Sequence, residues 1–63
     1  MKFGELLKEL RQQHNISQME LAEKTGISQS AIAKWEQQKT EPTASALITL
    51  SVFFWKVRII YSA

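Results

Sequence analysis

Few residues in this chain are equipped for bond-making chemistry. There is one histidine, His14, with no cysteine and no aspartate. A thiolate metal site, a disulfide, a Ser-His-Asp triad and a Cys-His pair are therefore excluded on residue types alone. The six glutamates are scattered, with no two set apart as an acid/base pair. His14 has no sequence partner and reads as a surface loop residue. The chain is expected not to be an enzyme and to need no metal, cofactor or small-molecule ligand. What remains is hydrogen-bonding chemistry. Gln29, Ser30, Lys34 and Gln37, with Ala33 among them, fall on one helical face, opposite Ala31, Ile32 and Trp35. Any surface helix carries a polar face of this kind, so its meaning depends on the elements that hold it.

Those elements have little material to work with. A chain of 63 residues is one domain, residues 1–63, and buries only about 60% of its unfolded surface. With no disulfide and no metal, efficient helix packing and self-association remain as sources of stability. The net charge is +2, but residues 1–41 balance to zero and the excess comes from Lys56 and Arg58. A basic composition is thus no argument for a nucleic-acid face; only individual positions can make one. No secretory signal is visible, and the absence of cysteine fits the cytoplasm. The apolar stretch from Ala44 to Trp55 is short of the roughly 20 residues needed to cross a bilayer, so no membrane partner is expected.

Apolar periodicity then places the elements. Phe3, Leu6, Leu7 and Leu10 form a helical stripe that ends at the breaker pair His14-Asn15. Ser17-Gln-Met-Glu20 has the form of a capping box and opens a second helix through about Lys24. Gly26 supplies a left-handed turn at low steric cost. Ser28 is the next N-cap, opening the helix that carries the polar face. Two short helices joined by a glycine-containing turn have the helix-turn-helix pattern. Pro42-Thr43 starts a fourth helix, with the threonine as cap. Beyond Phe54, the residues Trp55, Val57, Ile59 and Tyr61 alternate with Lys56, Arg58 and Ile60, a spacing closer to a strand than to a helix.

With these residues in place, the chain resembles the lambda-repressor-like helix-turn-helix family, also called the XRE family. The matching text is Leu7-Lys-Glu-Leu-Arg11, Ile16-Ser-Gln-Met-Glu-Leu-Ala22, Gly26-Ile-Ser28, Ile32-Ala-Lys-Trp-Glu36 and Glu41-Pro42, within residues 3–54. The resemblance implies an all-α bundle of four to five short helices that binds double-stranded DNA, usually as a dimer. The helix of about residues 28–37 would be the recognition helix in the major groove. Ser28, Gln29 and Ser30 would lie at its start, with Gln29 able to read adenine bidentately. Ala33 would offer its methyl to thymine, and Lys34 would reach guanine or a phosphate. Gln18 would hold a phosphate at the start of the second helix, where free N–H groups favour an anion. Gln37, Lys39 and Thr40 would contact backbone phosphates on the other side. Arg11 and Glu36 match a pair that ties the first helix to the third in some relatives.

Two departures qualify the match. Relatives usually carry glycine where this chain has Gln38. If the backbone turns left-handed there, a non-glycine costs about 1–2 kcal/mol; otherwise the helix ends differently and displaces Lys39 and Thr40. The second departure is the apolar segment 55–63, where relatives typically have a small turn and a polar-faced fifth helix. Trp55, Val57, Ile59, Ile60 and Tyr61 are expected to form a homodimer contact, by helix packing or by pairing strand edges. The leading functional expectation is a small sequence-specific DNA-binding regulator of the repressor or controller kind, acting on a palindromic operator. The alternative is a protein-interaction module, of antitoxin or anti-repressor type, using the apolar C-terminal segment on a protein partner.

Overall fold

A computed structural model describes the backbone of residues 2–61 and the side chains of residues 2–59. Among the described residues there are four helices and no strand: α1 Phe3–Gln13, α2 Gln18–Thr25, α3 Gln29–Glu36 and α4 Ala44–Tyr61. The all-α class is as expected. Helix α3 packs against α1 and α2, and α2 also meets α4. Leu7, Leu21, Ile32, Trp35, Leu50 and Phe54 form the shared core.

Three of the four helix starts are capped by the predicted residue. Ser17 Oγ accepts from the Glu20 N–H at 3.0 Å, Ser28 Oγ from Ala31 at 3.2 Å and Thr43 Oγ1 from Ala46 at 3.2 Å. These bonds satisfy amides that the helix itself leaves free. At α2 only the serine half of the capping box forms. Lys2 precedes α1 without a side-chain cap.

Three helix ends close on a left-handed residue: Asn15 with φ 55°, Gly26 with φ 75° and Gln38 with φ 61°. At Asn15 and Gln38 both bonds of a Schellman closure are present. The Ile16 N–H reaches the Arg11 carbonyl at 2.9 Å and Asn15 reaches Gln12 at 3.1 Å; Lys39 reaches Lys34 at 2.9 Å and Gln38 reaches Trp35 at 3.0 Å. The loop after α3 therefore turns as it would with glycine.

Three expectations need correction. The first concerns the stripe on α1. Leu7 is buried and Phe3 and Leu10 are half-buried, but Leu6 is 43% exposed. The packed face of α1 is rotated toward Gly4, which is buried. A Cβ on Gly4 would overlap the Trp35 carbonyl oxygen and lie 3.1 Å from Glu36 Cα. The absent side chain lets the end of α3 sit directly on α1.

The second concerns residues 55–61, which continue α4 as helix and form neither a strand nor a separate fifth helix. No Gly, Pro or Asn interrupts the chain after Thr43, and a formed helix gains one hydrogen bond for each residue added. A strand here would find no edge among the described residues, leaving its backbone groups unpaired. The third concerns His14. It is half-buried at the end of α1, with its ring 6.1 Å from that of Phe54.

Candidate nucleic-acid interface

Helix α3 is held from beneath. Ile32 is fully buried and Trp35 nearly so, and the Trp35 ring meets Phe3 edge-on at 6.3 Å. Fixing these inward residues turns the opposite face to solvent. Gln29, Ser30, Lys34 and Gln37 are exposed there, and Ala33 is half-buried between them. The structure thus brings together on one face the five residues expected to share it. Ser28 is exposed at the N-terminus of α3, its oxygen used by the cap while its O–H remains a free donor. Lys39 and Thr40 are exposed in the loop beyond the left-handed Gln38.

Gln18 joins this surface through a network that links three helices. Arg11 and Glu36 form a two-pronged ion pair, Nε to Oε2 at 2.6 Å and Nη2 to Oε1 at 2.7 Å. The remaining arm of Arg11 donates to the Ile16 carbonyl at 2.9 Å, closing the α1–α2 loop. The Gln18 amide donates to Glu36 Oε1 at 3.1 Å. One carboxylate therefore ties α1, the first residue of α2 and the last residue of α3 together. The side chains of Arg11 and Glu36 are 11% and 4% exposed, so losing either partner leaves a charge largely shut off from water. Burial alone would raise the Glu36 carboxyl. The hydrogen bonds from Arg11 and Gln18 and the charges of Arg11 and Lys8 outweigh it and hold the group below its ordinary value. The same bond to Glu36 raises the Arg11 guanidinium, against desolvation.

The Arg11–Glu36 pairing is the one the family resemblance implies; the bond from Gln18 lies outside it. The resemblance gives Gln18 a phosphate role, and in the structure its amide also binds Glu36. It keeps one amide hydrogen for that role after binding Glu36. Nothing in the local sequence marks Gly4, because a glycine near the start of a helix gives no local sign of what packs on it.

Four helices, with α2 and α3 joined through a left-handed glycine and α3 presenting a polar face, define a helix-turn-helix domain. A family model described as helix-turn-helix matches residues 7–54, and the chain belongs to that family. The chain is 43% identical to the HTH-type transcriptional activator BcrR of Enterococcus faecalis, across 86% of this chain and 26% of that protein. It is 41% identical to the HTH-type transcriptional regulator PuuR of Escherichia coli strain K12, across 81% of this chain and 32% of that protein. The chain spans about a quarter to a third of the length of these curated relatives. No solved structure matches it significantly. The family match stops at Phe54, where the apolar segment begins. No described helix is long and apolar enough to cross a membrane.

Proposed function

We propose that this domain binds double-stranded DNA in a sequence-specific manner and serves transcription regulation, with the exposed face of α3 in the major groove. One observation carries the reading. Gln29, Ser30, Lys34 and Gln37 are exposed together on a helix whose other face is locked into the core. A rigid helix presenting amide, hydroxyl and ammonium groups suits base edges, where each good bidentate pair discriminates by about 1–3 kcal/mol. Gln29 and Ser30, near the N-terminus of α3, read bases; Ala33 meets a thymine methyl; Lys34 reaches guanine or phosphate. Ser28, Gln18, Gln37, Lys39 and Thr40 surround this face and hold the phosphate backbone, setting register.

The domain acts as a homodimer on a palindromic operator, since a two-fold protein matches a two-fold site. The test is selection from random duplex DNA at about 150 mM salt, which suppresses weak phosphate binding. A palindromic motif with half-sites about one helical turn apart is the expected result. A folded protein that enriches no sequence would refute the reading.

A further inference from the structure

A cavity of about 820 Å³ opens where the end of α1, the loop after it, α2 and the second half of α4 meet. Ile16, Phe53 and Val57 line it with half-buried apolar side chains. Val57 is therefore poorly placed for the homodimer contact expected of it, and the Ile60 and Tyr61 side chains lie outside the described residues. Three exposed cations, Lys24, Lys56 and Arg58, stand on the same cavity against one carboxylate, Glu20. Among the described residues the ion pair is Arg11–Glu36, so none of these three cations has a carboxylate partner there. Lys56 and Arg58 supply the chain's whole net charge. Only the continuation of α4 as helix past Phe54, where the family match ends, brings them and Val57 to the cavity. The expectation of no small-molecule ligand rests on missing bond-making residues, which has no bearing on an apolar cavity.

We infer that this cavity is a binding site for a small amphiphilic anion, a carboxylate on an apolar body. The size suits such a ligand: small-molecule pockets run from about 300 to 1,000 Å³ and combine apolar walls with a few placed polar groups. The lining selects the chemistry. An apolar body removes the surface of Ile16, Phe53 and Val57 from water. Its carboxylate stays at the rim, among cations whose charged ends remain hydrated. A cationic ligand would meet three like charges against one opposite. An anion with no apolar body would gain only screened surface attraction. The walls are too short for a helix of another protein. α2 offers the single turn from Glu20 to Lys24, about 6 Å, and α4 the stretch from Phe53 to Arg58, about 7.5 Å. Helix-in-groove recognition spreads its anchors from i to i+7, about 10 Å.

Octanoate is the probe, titrated into the isotope-labelled full chain and followed by amide chemical shifts. Saturable shifts at roughly millimolar concentration are expected at Ile16, Lys24, Phe53 and Val57, as suits a ligand of this size. Octanol, equally long and uncharged, should bind at least about threefold more weakly, since exposed ion pairs contribute modestly. Lys56→Gln combined with Arg58→Gln should remove that preference and leave octanol binding unchanged. Both side chains are exposed, so helical circular dichroism should persist. Shifts that never saturate overturn the proposal. So does octanol binding as tightly as octanoate, or a response confined to the exposed α4 residues Ile48, Val52, Trp55 and Ile59. An amphipathic Leu/Glu peptide that moves the same amides at lower concentration than octanoate would give the cavity to a protein helix, and overturns it too.

Discussion

At the scale of single residues, two glycines are required for different reasons. Gly26 sits at φ 75° with open space where a Cβ would go. Its requirement is conformational, and Gly26→Ala should cost about 1–2 kcal/mol, with asparagine costing less. Gly4 is required for space, because its neighbours are the backbone of Trp35 and Glu36 and cannot rotate aside. Gly4→Ala should cost about 1–3 kcal/mol, and asparagine should be worse. Urea midpoints of the four variants check this; an asparagine that rescues Gly4 would show that α1 and α3 separate freely. The Glu36 carboxyl makes a further claim at this scale. Its folded-state value lies below its unfolded one. The pair's stabilisation is therefore complete above the ordinary carboxylate range and is lost as pH falls through the depressed value. Wild type should lose stability on acidification below about pH 4.5 more steeply than Glu36→Gln, which has no such group to protonate. Equal slopes in denaturant titrations across that range would disprove it.

At the scale of elements, the helix starts were legible because serine and threonine supply the missing acceptor locally, whatever the helix later packs against. The end of α3 was legible as a conflict. Gln38 takes the left-handed turn, closed by two backbone bonds, without being glycine. Gln38→Gly should therefore stabilise by about 0.5–1 kcal/mol, the relief of strain less the added freedom of the unfolded chain. A lower melting temperature would mean that the bond from Gln38 to Glu5, 3.4 Å long, outweighs the strain. The recognition face makes its own prediction. Gln29→Ala should weaken binding to a selected operator by about 1–3 kcal/mol while leaving the melting temperature unchanged. A loss of stability instead would assign Gln29 to the fold. The course of α4 was not legible. Alternating apolar residues suit a strand or a helix with apolar residues all round, and only the lack of a neighbouring edge decides between them.

At the scale of the whole molecule, charge sets the character of DNA binding. Residues 1–41 carry no net charge, so the surface around α3 offers phosphates mainly Lys34 and Lys39 as cations. A plot of log affinity against log salt should therefore fall with a slope no steeper than about −2 for each protomer on random duplex. A much steeper slope would place further lysines and arginines of the domain on DNA as well. Local signals sufficed for the rest of the outline. Apolar spacing, caps and the turn at Gly26 determined three helices, the buried side of α3 and hence its polar face, because each depends on residues within one or two turns. The tertiary structure alone decided that Gly4 must be bare, that Gln18 bonds to Glu36 and that α4 runs on past Phe54 as helix. Each of these depends on what stands across the gap from a residue, and a distant neighbour leaves no mark on local spacing.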